Sequence, residues 1–352
     1  IMAYTTIDKS TDYFNTVLYT GTGSSQAITG VGHAPNFVWI KCRDVAKDNM
    51  MFDSVRGVQK SIRSNSDNAQ DTGSDFLSSF DSDGFTAGGN GKTNGSGSTY
   101  VSWNWKAGGT ASTNTDGSIT SSVSANPTAG FSIVSYTGNA TNGATVGHGL
   151  GAVPHMLIGK DLSDGSGWGV WHRGLASNRH RLTLSTNGAT SQDDALYGGS
   201  GNTAPTSTVF SLGSCGGLNG SNANIVYAFT SIKGFSKFGT WKGRNSQSAN
   251  DKYPFIYTGF KVGFLMVKGL GSNQEWPIFD TAREPSNDGT LKSVWANLNN
   301  TESSGYALDL YSNGFKVFNT GGTFNTDGTT YTYMAFAENP FVTSSGVPTV
   351  AR

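Results

Sequence analysis

The chain has 352 residues, sets 24 Lys and Arg against 24 Asp and Glu, and carries charge on only 14% of its positions. So weak and even a charge excludes nucleic acid or an anionic membrane as the main partner, because phosphate binding needs a basic field. The 48 glycines sit among Ser, Thr and Asn as in disordered chains, but aromatics at 12% argue for a folded protein.

Aromatic and β-branched clusters divided by Gly, Asn, Asp and Ser read as many short strands. Residues 1–12 form a polar arm. Tyr13–Tyr19 reads as a strand, Thr20–Ser25 as a turn and Gln26–Gly30 as a second short strand. Phe37–Lys41 reads as a buried strand and Met50–Asp53 as another. Val55–Ile62 is the best candidate for a short helix. Phe76–Phe80 pairs with Gly84–Thr86 through the turn Asp81-Ser-Asp-Gly84. Tyr100–Lys106 closes the unit and puts Val101, Trp103 and Trp105 on one face, where they read as core.

The pattern recurs. Tyr19-Thr-Gly21, Tyr136-Thr-Gly138 and Tyr257-Thr-Gly259 each open a segment. Phe37-Val-Trp-Ile-Lys41, Met156-Leu-Ile-Gly-Lys160 and Phe264-Leu-Met-Val-Lys268 are apolar runs closed by lysine. Val101–Trp105, Ile225–Phe229 and Thr332–Phe336 are aromatic closing strands. A period of roughly 110 residues is too long for a solenoid and suits tandem domains. The expected fold is all-β, with three tandem antiparallel β-sandwich domains of jelly-roll type. They are placed at 13–107, 129–240 and 252–341. Gly/Ser/Thr-rich 108–128, which also reads as an extended strand edge, and polar 241–251 are the linkers, and 342–352 is a tail. Each domain is small, so packing of repeats on one another, or trimerisation, would supply further burial.

Few residues suggest chemistry. Asp53 and Arg56, and Asp280 and Arg283, share an Asp-x-x-Arg spacing that lets guanidinium and carboxylate close a turn after a strand. The second repeat has Trp171-His-Arg-Gly174 instead. Val-Gly-His at His33 and His148 suggests turn capping. His172, His180, Asp193 and Asp194 have no spacing that supports a site. Cys42 and Cys215 read as free buried thiols, without metal spacing. Trp241 and Trp295, which lack counterparts in the other repeats, and Trp168 are the candidate platforms for a sugar ring. No nucleophile elbow, phosphate loop or metal motif is legible, so no catalytic residue, cofactor or metal is expected. No apolar run is long enough to span a bilayer, and no signal peptide is legible.

Asp53-Ser-Val-Arg-Gly57, Phe80-Asp-Ser-Asp-Gly-Phe85, Trp103-Asn-Trp-Lys-Ala-Gly108, Gly147-His-Gly-Leu150 and Ala335-Phe-Ala-Glu-Asn-Pro-Phe341 together carry a resemblance. The chain resembles, over nearly its whole length, an uncharacterised repeat family of structural proteins of tailed bacteriophages, notably those of marine bacteria. The resemblance implies a virion protein of tail-fibre type and supplies no catalytic residues. The expectation is a non-enzymatic tail fibre, tail or capsid-decoration protein, located in the virion. It would serve assembly and host-surface adhesion, with other virion proteins and host surface polysaccharide as partners and a homotrimer as its assembly. The alternative is a carbohydrate-binding module array of a bacterial surface adhesin.

Overall fold

A computed structural model describes residues 5–163, 165–193, 196–214, 216–245, 253–271, 273–285, 287, 291–318 and 324–340. Cys215, Asp194, Phe341, the tail 342–352 and residues 246–251 of the second linker lie outside the described residues.

The fold is all-β, made of several antiparallel sheets. The first unit contains β1 (Phe14–Thr20), β2 (Gln26–Ile28), β3 (Phe37–Cys42), β4 (Met50–Asp53), β5 (Lys60–Arg63), β6 (Asp71–Thr72), β7 (Leu77–Asp81), β8 (Gly84–Ala87) and β9 (Thr99–Trp105). They form a sheet of order β1-β9-β3-β4-β5-β6 and a smaller one, β2-β8-β7. The second unit contains β10 (Ser112–Asn114), β11 (Ser121–Asn126), β12 (Phe131–Thr137), β13 (Thr145–Gly147), β14 (Met156–Asp161), β15 (Gly169–His172), β16 (His180–Arg181), β17 (Ser191–Gln192), β18 (Val209–Ser211), the short helix α1 (Gly216–Asn219) and β19 (Ala223–Phe229). Its large sheet runs β10-β11-β12-β19-β14-β15, with β13-β18 and β16-β17 as separate pairs. The third unit contains β20 (Ser236–Lys242), β21 (Phe255–Tyr257), β22 (Lys261–Gly269), β23 (Pro277–Asp280), β24 (Leu291–Trp295), β25 (Ser303–Tyr306), β26 (Leu308–Tyr311), β27 (Gly314–Val317) and β28 (Thr330–Asn339). Its sheets run β20-β28-β22-β23-β24-β25 and β21-β27-β26.

All six residues of β3 and all six of β14 are buried, lysines included. A strand without a polar face needs cover on both sides. On one side Val38, Ile40, Phe52, Phe85 and Tyr100 pack into a core private to the first unit. Private cores of the same kind fill the second and third units. On the other side Phe37, Trp39, Val101, Trp103 and Trp105 join Phe131, Ile133, Tyr227 and Phe229 of the second unit and Phe264, Met266 and Phe336 of the third. The aromatic face of each closing strand therefore serves a core shared by all three units rather than its own. Phe37 lies 4.3 Å from Tyr227, Phe14 4.9 Å from Phe336 and Trp105 5.6 Å from Phe264, between ring centroids. Each buried Phe or Trp is worth roughly 2–3 kcal/mol. Uncovering this face would cost more than the 5–15 kcal/mol, roughly, that holds a typical domain folded.

The contacts between units close a cycle. Gln70 N–H donates to Leu162 O at 2.9 Å, Thr190 N–H to Leu270 O at 3.0 Å and Glu302 N–H to Arg43 O at 2.7 Å. The three acceptors lie two residues past Lys41, Lys160 and Lys268, so the same bond recurs at each junction.

Register corrects the repeat boundaries. Phe14 stands opposite Trp105, Phe131 opposite Phe229 and Ser236 opposite Phe336. The counterpart of Tyr19-Thr-Gly21 and Tyr136-Thr-Gly138 is therefore Trp241-Lys-Gly243. Tyr257-Thr-Gly259 instead starts at the last residue of the small-sheet strand β21, whose Ile256 faces Phe315 as Ile28 faces Phe85. The boundary expected at residues 240–252 thus cuts β20, which belongs to the third sheet. Gly21, Gly138 and Gly243 confirm the equivalence, since a Cβ there would lie 2.3, 2.0 and 2.0 Å from the carbonyl oxygens of Gly95, Gly220 and Thr326. Beside each, a fully buried asparagine accepts a backbone N–H: Asn94 from Thr22, Asn219 from Asn139 and Asn325 from Arg244.

Two further expectations change. Segment 108–128 supplies β10 and β11, the edge of the second sheet, so it is extended strand rather than free linker. Val55–Ile62 holds turns and the start of β5, not a helix. The Asp53 carboxylate takes the N–H groups of Val55 and Arg56 at 3.1 and 2.8 Å, and Gly57 follows at φ 104°, which stops helix propagation. Among the described residues α1 is the one α-helix, and no helix is long and apolar enough to cross a membrane.

Candidate functional site

The junctions between units hold the residues that the sequence singles out. Asp53 and Asp280 end β4 and β23, and each carboxylate closes the following turn. Asp53 pairs with Arg56 Nε, and Asp280 pairs with Arg283 Nε at 2.7 Å. The arginines also donate to Met51 O and Ile278 O, at 3.1 and 2.8 Å. All four side chains are buried. Burial works against the charge of Arg56, but Asp53 and then Tyr227 outweigh it and hold its pKa above the ordinary value. Each carboxylate then reaches a neighbouring unit. Tyr227 Oη donates to Asp53 Oδ2 at 2.7 Å, and Trp103 Nε1 donates to Asp280 Oδ2 at 3.0 Å.

His172 holds the same register position in the second unit, opposite Met156 as Asp53 is opposite Phe37. Its Nδ1 accepts the Gly174 N–H at 3.0 Å, so it replaces the carboxylate in closing the turn. Burial lowers its pKa to about 3 and keeps the ring neutral.

Asn49, Trp168 and Trp276 each precede the strand that ends in Asp or His, and each ties its unit to another. Trp168 Nε1 donates to Arg63 O and Ser66 O at 3.0 and 3.2 Å. Trp276 Nε1 donates to Thr183 O and Thr186 O at 3.0 and 3.1 Å. Asn49 Nδ2 donates to Trp295 O, Ala296 O and Leu298 O. The lysines of the apolar runs extend these ties. Lys41 Nζ donates to Lys47 O and to Asn299 O, and Lys268 Nζ to Gln274 O and to Asn187 O. Burial lowers the pKa of both lysines to about 8.

The tryptophans expected as sugar platforms are thereby corrected. Trp168 is fully buried at a junction, and Trp241 is 8% exposed, stacked on Tyr331 at 4.9 Å. Neither offers a free ring face. Trp295 is half-buried, with Nε1 donating to Tyr306 Oη at 3.1 Å, and it lines a surface cavity of about 420 Å³ with Asn300 and Thr301. His33 and His148 contact the backbone: His33 Nδ1 lies 2.7 Å from Thr11 O, and His148 Nδ1 accepts the Leu150 N–H at 3.2 Å. Cys42 is a free buried thiol. Among the described residues no group of three or more His, Cys, Asp or Glu side chains could hold a metal ion.

Among the described residues a cleft opens at each junction between units, at the ends of β9, β19 and β28. The cleft between first and second units is lined by Asn36, Lys106 and Asn126 and holds about 380 Å³. The cleft between third and first is lined by Thr281, Glu338 and Asn15 and holds about 300 Å³. The cleft between second and third, at about 520 Å³, is lined by His155, Arg173, Ser231, Lys233, Lys237 and Tyr257, among others, and its lining includes no carboxylate. Arg173 Nη1 donates to His155 Nε2 at 2.8 Å, and on the other side of the ring Nδ1 lies 2.8 Å from Ser231 Oγ and 2.9 Å from the Ser231 backbone N. Burial, and then Arg173, lower the His155 pKa to about 4, so the ring is neutral and fixes the guanidinium. Lys237 Nζ donates to Tyr257 O at 2.6 Å and lies 5.3 Å from the centre of its ring. Tyr257 is 56% and Phe255 46% exposed, and Tyr311 packs edge-on against Phe255 at 5.9 Å. These three aromatics form a ledge on the outer face of β21 and β26. Sequence reasoning passed over the cleft because its cations, Arg173 on one side and Lys233 and Lys237 on the other, come from two separated segments that form no motif.

A domain of unknown function (DUF7483) matches residues 9–340. No curated protein and no solved structure matches the chain.

Proposed function

We propose, on the premise that the chain belongs to the family of the domain of unknown function DUF7483, that it is a non-enzymatic structural protein of a virion. In this reading each unit is a β-sandwich of jelly-roll type, and the three form one rigid body that presents a repeated exterior for assembly and for host-surface adhesion. The observation that supports it most is the cycle of buried ties between units. Asp53, Arg56, Asp280 and Arg283 are consumed by turns and junctions, which suits a scaffold better than a reactive centre. The shared core is the packing of repeats on one another that was expected, beside trimerisation, as a source of further burial. A homotrimer remains part of the proposal as a matter of particle symmetry, not of stability. Fractionation of purified particles with peptide mapping tests the reading: peptides of this chain in intact particles support it, and their absence from particles rejects it.

A second reading, a carbohydrate-binding surface protein of a bacterium, is favoured by the exposed ledge of Phe255, Tyr257 and Tyr311. Glycan binding by a cell-surface fraction that contains the chain, without particles, would select it.

A further inference from the structure

We propose that the cleft between the second and third units binds an acidic saccharide, with a sugar carboxylate at Arg173 and neighbouring rings on the ledge of Tyr257 and Phe255. This deepens the adhesion part of the proposed function and rests on it for biological meaning, though the chemistry of the cleft stands alone.

The three junction clefts are built at equivalent positions, so they act as each other's controls. Asn36, His155 and Gly263 immediately precede Phe37, Met156 and Phe264, which stand opposite Trp105, Phe229 and Phe336. Ser54, Arg173 and Thr281 follow the residues that close the turns. The other two units carry neutral residues at these places, Asn36 and Ser54 in the first and Gly263 and Thr281 in the third, so the scaffold does not require a charge there. Only the cleft between second and third units collects Arg173, Lys233 and Lys237 with no carboxylate in its lining. In the cleft between third and first units Thr281 and Asn15 stand where Arg173 and Lys237 stand here, and Glu338, the counterpart of Ser231, pairs with Lys261 at 3.0 Å.

Geometry favours a carboxylate on a sugar. The guanidinium of Arg173 is exposed and held by His155, so its remaining N–H groups form a preset fork. Tyr257 lines the cleft and also stands on the ledge, so one ring joins the cationic and aromatic surfaces. Lys237 fixes the Tyr257 backbone, which lowers the ordering cost of binding. A cleft of about 520 Å³ admits one sugar ring with its substituents, and the ledge outside it receives the next.

The test titrates the full chain with a tetramer of galacturonic acid by calorimetry, beside its methyl ester and the monomer. Binding of the tetramer is expected, weakening with salt and reduced by about tenfold or more in Arg173→Gln and in Tyr257→Ala. Lys106→Gln, at the cleft between first and second units, is expected to bind as the parent does. The methyl ester is expected to bind at least about tenfold more weakly, and the monomer likewise, since it lacks the ledge contact. Equal binding of acid and ester, an unchanged Arg173→Gln variant, or no heat with the tetramer at millimolar concentration would overturn the proposal. A chain found in particles that ignores the tetramer overturns this inference and leaves the scaffold reading standing. A chain absent from particles that binds the tetramer does the reverse.

Discussion

Tyr227 Oη donates to Asp53 Oδ2 at 2.7 Å, so a carboxylate that closes a turn in the first unit also receives the second. Arg56 Nη2 approaches the same hydroxyl at 3.3 Å, and all three groups are buried. Tyr227→Phe removes one charge-assisted bond and is expected to lower unfolding free energy by about 1.5–3 kcal/mol. Asp53→Asn leaves a buried guanidinium without its counter-ion and is expected to cost about 3–5 kcal/mol. Urea denaturation of both variants checks the order. A Tyr227→Phe chain as stable as the parent would show that the bond between units carries nothing.

Trp168 acts by its N–H as well as its bulk. Trp168→Phe keeps most of the buried area but removes the indole N–H that Arg63 O and Ser66 O share, for an expected loss of about 1–3 kcal/mol. Trp168→Ala adds a cavity and is expected to cost about 3–5 kcal/mol. Asn49→Ala, which removes an amide donor from three carbonyls of the third unit while Ser64 Oγ still serves Ala296 O, is expected to cost about as much as Trp168→Phe. Thermal melts of the three variants measure this ranking.

Acid is expected to weaken the fold through His172. Its pKa is about 3 when folded and about 6.5 when unfolded. Between those values the unfolded chain binds the extra proton, so stability is complete above the unfolded value and declines as pH falls through this window. At pH 4.5 the loss from this one ring is about 2–3 kcal/mol relative to neutral pH. His172→Asn retains an acceptor for the Gly174 N–H and cannot titrate. Its stability should therefore fall less steeply between pH 6.5 and 4.5, and parallel slopes for parent and variant would contradict the assignment.

The shared core couples the units. Calorimetry of the full chain is expected to show one transition, because melting any unit exposes Phe14, Phe37, Trp103, Trp105 or their partners. A fragment of residues 5–107 is expected to aggregate or stay unfolded at 25 °C. Three resolved transitions, or a well-folded monomeric fragment, would mean that the private cores suffice.

Alternation along Val101–Trp105 identifies which side chains share a face, and turn residues such as Asp81-Ser-Asp-Gly84 locate the hairpin, because both depend on neighbours along the chain. The all-β class, the threefold repetition and the Asp-x-x-Arg turns follow from such local rules. What covers a face does not, since strand periodicity is the same whether the cover is a private sheet or two other units. Similar residues at a different place in the fold mislead for the same reason. Tyr257-Thr-Gly259 imitates Tyr19-Thr-Gly21, and only the pairing of Trp241 with Tyr331 shows that the true counterpart begins at Trp241.

Sequence by itself determined that this protein is a thrice-repeated β structure with buried strands and ion-paired turns. Tertiary structure decided that the repeats close on a common core, that Trp168 and Trp241 are interior, and that Arg173, His155 and Lys237 meet in one cleft. These relations join residues tens to hundreds of positions apart, and only the closing of the ring brings them within bonding distance.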